Sequence, residues 1–207
     1  MTGFDKRFYT PGTFWRDFFT VICHIPDFID SVRSRRISHK FAEEIMMVIT
    51  QVNGCRYCSY VHSKSALMCG VSEQELLKLL TLQTDDFPEE EAVALTFAQH
   101  YAESECNPDS EVEKRFRDYY GLHASQDIMN FIRMITMSNL AGNTVDAFLS
   151  RLKGQPAKNS NPISEFILFL LFAPVTLPLI GRLRSTPAPA LVHFRVTDQE
   201  SGEERPV

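Results

Sequence analysis

The sequence predicts an all-α fold. Apolar residues recur at three- and four-residue spacing through most of the first 154 positions, and no stretch before about Leu191 alternates apolar and polar residues as a half-buried strand would. Helix start and stop signals also punctuate the chain at short intervals. At 207 residues the chain is long enough to bury a full core without disulfide staples or a structural metal. The expected organisation is a helical domain over 1–154, a linker and apolar segment over 155–184, and a mobile tail over 185–207.

Each element follows from local pattern. Between Thr13 and about Arg33, Phe14, Phe18, Val21, Ile22 and Ile25 mark one helical face. Pro26 removes a backbone donor there and splits the stretch into two short helices or one kinked helix. Ile37, Phe41, Ile45, Val48, Ile49 and Val52 line a helix from about Ile37 to Val52, and Met46 and Met47 widen its apolar surface until burial nearly all round is expected. Asn53-Gly54 stops that helix, and the next begins at or just after Cys55, runs to about Cys69 and is closed by Gly70. Ser72 and Glu75 form a capping box ahead of Leu76, Leu77, Leu79 and Leu80, so a short amphipathic helix starts there and ends near Gln83. Pro88 followed by three glutamates places acids at the positive end of a helix that reaches Glu103. A further helix is expected from about Ser110 to Tyr120. The longest periodic stretch runs from about Ser125 to Lys153, with Ala141-Gly142-Asn143 as its interruption and Gly142 as the expected kink.

Charge narrows the function. With 26 acidic and 21 basic residues the formal net charge is -5, which leaves no basic footprint for a phosphate backbone, so nucleic acid is not an expected partner. Residues 1–13 carry charged and turn residues rather than an apolar run after a basic start, and a cytoplasmic location is expected. In a reducing compartment the five cysteines would not serve as a structural disulfide framework, so clustered ones point to chemistry or metal. Cys23, Cys69 and Cys106 lack a partner cysteine or nearby base in sequence and are expected to be buried small hydrophobes.

Cys55 and Cys58 form the one close pair, at the mouth of an expected helix, where unpaired N–H groups favour a thiolate. At this spacing two sulfurs can close a small ring, so one can attack a sulfur or oxygen and the other resolve the product. His62 lies four residues after Cys58, on the same helix face, in position to take or return a proton. Glu43, on the preceding helix, is turned away from the stripe of Phe41, Ile45 and Val48 and is suited to accept protons if its face is buried. A second arrangement of the same residues would hold zinc through Cys55, Cys58, His62 and either Cys69 or Glu43, although no second Cys-x-x-Cys is present.

The order Glu43, Cys55, Cys58, His62, with Cys55 twelve positions after Glu43, resembles the signature of the AhpD-like family, also called the carboxymuconolactone decarboxylase-like family. The stretch from Val52 through Cys55-Arg-Tyr-Cys58 to Ala66 is similar to its central helix, and Asn143 to Gly154 is more loosely similar to the close of its core domain. The resemblance covers roughly Ile37 to Gly154. It implies a helical fold assembled as trimers or hexamers, and an alkylhydroperoxidase in which Glu43 and His62 act on Cys58 as attacking thiolate while Cys55 resolves it. A hydroperoxide substrate and a dithiol reductant are the implied partners, and no bound cofactor is required. Tyr57 stands where AhpD has a histidine, so no proton-relay role carries over to that position. Decarboxylases of the superfamily generally lack the cysteine pair, which argues against decarboxylation here. The competing reading is a non-catalytic helical oligomer, or a membrane-peripheral protein, in which the pair senses redox state or holds zinc.

Residues 163–184 include the apolar run Phe166 to Ile180, interrupted by Pro174 and Pro178. Fifteen helical residues span only about 22 Å, short of a bilayer core of about 30 Å, so a full crossing is not expected. Packing on a neighbouring subunit is the preferred use. Basic flanks at Arg151, Lys153, Lys158, Arg182 and Arg184 leave peripheral membrane contact as the alternative. Val192 to Val196 is the one expected strand.

Overall fold

The computed structural model describes residues 6–158 and 160–185. Among them there is no strand, and the fold is all-α as the sequence predicts. The helices are α1 (Pro11–Cys23), α2 (Ile25–Ser34), α3 (His39–Asn53), α4 (Arg56–Met68), α5 (Glu73–Leu80), α6 (Glu89–Glu103), α7 (Ser110–Leu152) and α8 (Pro162–Ser185), with a 3-10 turn at Thr84–Asp86. The expected strand at 192–196 and the tail beyond Ser185 lie outside the described residues.

Helix α3 sits at the centre, packed by α4, α5, α6 and α7. Ile45, Met47, Val48 and Ile49 are fully buried in the main core, which explains why its apolar residues do not keep to one stripe. Phe97 of α6 stacks on Phe116 of α7 with ring centroids 4.0 Å apart, closing the far side of that core. A second, smaller core joins Tyr9, Phe14, Leu140, Ala141 and Leu168, so α1 and α8 are both seated on the same part of α7.

Several local signals act as expected. Pro26 occupies the first turn of α2, where its missing donor costs nothing, and α1 ends at Cys23. The Ser72/Glu75 capping box forms with both reciprocal bonds, but α5 ends at Leu80 rather than Gln83 because Leu82 already has a positive φ of 57°.

The expected kink at Gly142 is not found. That residue continues the helix, and the break in α7 falls at Gly121, with φ 70° and ψ 178°, a conformation open to glycine. The two helices expected over 110–120 and 125–153 are thereby joined around a single non-helical residue. The cysteines outside the pair also differ from expectation, since Cys23 is exposed and Cys69 and Cys106 are half-buried. Each lies at a helix end or in the turn beyond one, where the surface rather than the core is close.

The apolar C-terminal run forms α8, which packs along α7 of its own chain and more lightly on α4. Glu165 is buried there against Arg151, whose Nε lies 2.5 Å from Oε2, and the Phe148 ring meets Phe166 and Phe169. Among the described residues no helix is long and apolar enough to cross a membrane. Ile167, Leu171 and Val175 of α8 remain exposed, as do Trp15 and Phe19 of α1.

Candidate active site

The turn from α3 to α4 takes two residues. Gly54 caps α3 in the left-handed region with φ 67°, and its N–H donates to Thr50 and Gln51 carbonyls at 2.9 and 3.2 Å. Cys55 is then the N-cap of α4, and its sulfur accepts the Cys58 N–H at 3.3 Å. The structure joins Cys55 and Cys58 in a disulfide, with Cα atoms 5.4 Å apart. The two sulfurs are not equivalent: Cys55 is 1 % exposed, whereas Cys58 is only half-buried.

One turn further along α4, His62 meets Glu43 of α3, with Nδ1 2.8 Å from Oε2. The other oxygen of that carboxylate accepts the Ser65 hydroxyl at 2.7 Å. A carboxylate accepts hydrogen bonds, so Nδ1 is the donor to it, and in the neutral imidazole that tautomer leaves the lone pair on Nε2. Glu43 itself is half-buried, whereas the adjacent Glu44 faces the other way, fully buried, 2.8 Å from Lys40 Nζ, with its carboxyl pushed up to about 6 by burial against that lysine's opposing pull. The four residues singled out from sequence thus gather within the α3–α4 pair as a disulfide and an imidazole-carboxylate pair. Cys69 caps the opposite end of α4, and no group of three His, Cys, Asp or Glu side chains suited to a metal occurs among the described residues, so the zinc arrangement has no geometric support.

Helix α7 supplies the inner wall, which local sequence pattern does not reveal. A Cβ on Gly142 would stand 2.8 Å from Cys55 Sγ and 3.2 Å from Tyr57 Cδ2, so the helix backbone lies directly against the disulfide. Asn143 donates to the carbonyls of Asn53 and Arg7 at 2.7 and 2.8 Å, and Thr144 Oγ1 accepts the Tyr9 N–H at 2.9 Å. These bonds tie the α3–α4 turn and the N-terminal segment to α7. Tyr57 is buried, and its hydroxyl donates to Asp146. Burial, then the bond to Asp146, pushes its phenol up from the usual value, so it remains a protonated donor. Two sequence signals mark this wall: the Ala141-Gly142-Asn143 interruption, which reports close approach instead of a kink, and the looser family resemblance over Asn143 to Gly154. A separate polar cavity of about 600 Å³ between α2 and α7, lined by His24, Arg36 and Asp127 among others, shares no lining residue with the sulfur pair.

Gly142→Ala is expected to lower the melting temperature. The added methyl gains about 1 kcal/mol of helix propensity, but overpacking a buried, covalently pinned contact costs roughly 1–3 kcal/mol. Thermal unfolding checks this, and a raised melting temperature would show that the wall has room.

No curated protein and no solved structure matches the chain significantly. The model of the carboxymuconolactone decarboxylase family matches residues 27–99, a segment that holds Glu43, Cys55, Cys58 and His62 and ends before α7 with Gly142 and Asp146. The helices carrying the disulfide, its imidazole and its carboxylate therefore lie in the segment, residues 27–99, that is similar to the carboxymuconolactone decarboxylase family.

Proposed function

We propose that the protein is a thiol-dependent peroxidase of the alkylhydroperoxidase type. The observation that carries this reading is the Cys55–Cys58 disulfide set one helical turn from the Glu43–His62 pair. His62 accepts the Cys58 proton at Nε2 while Glu43 stabilises the imidazolium formed. The Cys58 thiolate then attacks the outer oxygen of a hydroperoxide: an S–O bond forms, the O–O bond breaks, and the alkoxide leaves as an alcohol with the proton from His62. Cys55 attacks the resulting sulfenic acid, forming the S–S bond and releasing water. A dithiol reductant returns the pair to thiols.

The unequal burial of the sulfurs supports this division of roles. An external dithiol reaches Cys58 more readily, and the expelled Cys55 thiolate accepts a backbone N–H at the positive end of α4, which makes it the better leaving group. A Cys55 thiolate stabilised at the helix start serves resolution and release. No bound cofactor takes part. Nucleic acid is no partner of this acidic chain, and the cytoplasm suits a dithiol cycle. A non-catalytic redox sensor is the second reading, favoured only by the burial of Cys55. The separating experiment is hydrogen peroxide or cumene hydroperoxide consumption by the full chain with dithiothreitol: many turnovers support the peroxidase, and a single stoichiometric oxidation contradicts it.

The same proposal places the chain in a homo-oligomer, trimer or hexamer, with the exposed apolar residues of α8 against a neighbouring subunit. Sedimentation should give three or six times 23.7 kDa, and Leu171→Glu should lower the mass. A wild-type monomer that binds anionic vesicles through 163–184 would instead assign that face to a membrane surface.

A further inference from the structure

Arg56 and Tyr57 are the whole covalent path between Cys55 and Cys58, and both are anchored on one carboxylate of α7. Asp146 Oδ1 accepts from the Tyr57 hydroxyl and from Arg56 Nη2 at 2.6 Å, while Lys6 Nζ lies 3.3 Å from Oδ2. Arg56 Nη2 also donates to the Tyr57 oxygen at 2.7 Å, so the three side chains form a closed set. Asp146 is 7 % exposed, and the charges of Arg56 and Lys6 offset its burial. Gly142, four residues earlier and on the same face of α7, lies against Cys55 Sγ. The small ring of the disulfide is therefore held to α7 at two points one helical turn apart.

We infer that Asp146 is a positioning residue that sets the redox poise of the Cys55–Cys58 pair by fixing the Arg56-Tyr57 bridge in the closed-ring geometry. The inference rests on the peroxidase reading for its purpose. Two effects act in one direction. The anchored bridge keeps the cysteine backbones at the disulfide separation, and the Asp146 charge engages Arg56 and Lys6, which would otherwise favour a nearby thiolate. Removing that charge frees the bridge and leaves Arg56, the residue next to Cys55 in the chain, without its carboxylate partner, and both changes favour the dithiol.

The test uses the full-length protein equilibrated with mixtures of reduced and oxidised glutathione, in which the disulfide takes two electrons and two protons from two glutathione thiols and yields one glutathione disulfide. The trapped dithiol fraction is read by mass. Asp146→Asn is expected to raise the dithiol-to-disulfide ratio about tenfold at a fixed glutathione ratio, equivalent to roughly 30 mV toward a more oxidising pair. Tyr57→Phe, which keeps the ring and loses one anchor, should move the ratio the same way by less, and it carries the test if Asp146→Asn does not fold. Wild-type ratios in folded Asp146→Asn and Tyr57→Phe, or a shift toward the disulfide, overturn the inference. Because no peroxide is present, failure here is distinct from failure of the peroxidase reading, which shows as wild-type thiols that hydroperoxide does not oxidise.

Discussion

Cys58→Ser should abolish peroxide consumption, and Cys55→Ser should consume one equivalent and stop with Cys58 as a sulfenic acid. A serine hydroxyl is far too weak an acid to supply an attacking anion near neutrality, so no residual turnover is expected from the first variant. In the second the attack proceeds, but the resolving sulfur is missing and the sulfenic acid persists until an external thiol reaches it. The half-buried position of Cys58 and the burial of Cys55 make this order the sterically open one. Peroxide loss followed by intact-mass measurement, reading one added oxygen on Cys55→Ser, checks it. The reverse pattern, with Cys55→Ser inert and Cys58→Ser trapping the oxygen, would exchange the two roles.

His62→Gln should lower kcat/KM for hydroperoxide by about 10²–10⁴-fold, the range that a positioned general acid-base contributes. The Glu43 bond to Nδ1 leaves Nε2 as the only ring position able to accept a proton, so loss of the ring removes both the base for Cys58 and the acid for the leaving alkoxide. Glu43→Gln should cost less, roughly tenfold, because the amide oxygen can still accept from Nδ1 and orient the ring while the charge that stabilises the imidazolium is gone. Stopped-flow rates at matched pH distinguish these cases. An unchanged rate in His62→Gln, with the disulfide still forming, would remove the imidazole from the mechanism.

The legible parts of the molecule are those whose causes are local. Gly54 ends α3 because of its backbone freedom, Ser72 and Glu75 start α5 by bonding across three residues, and the spacing of Cys55, Cys58 and His62 places them on one helix from sequence alone. Glu43 is legible through the family resemblance that its distance from Cys55 carries, which implies a relay with His62, and in the structure the two side chains meet. The parts contributed by α7 have partners about ninety to 140 residues away, as in Tyr57–Asp146 and Lys6–Asp146, and no local pattern encodes such pairs. Gly142 shows the difference most clearly. From sequence it marks a weak point in a helix, and only the packed structure shows that its missing side chain makes room for a sulfur. The exposure of Cys23 follows likewise from where α1 ends against α2, which composition does not specify.

The most direct measurement of the central claim is a titration of the fully reduced protein with hydroperoxide, followed by digestion and mass analysis of the peptide that spans Cys55 and Cys58. One equivalent of peroxide should remove two hydrogens from that peptide, with Cys23, Cys69 and Cys106 still free thiols. Peroxide that leaves the peptide unchanged, or that oxidises the three other cysteines first, would contradict the account.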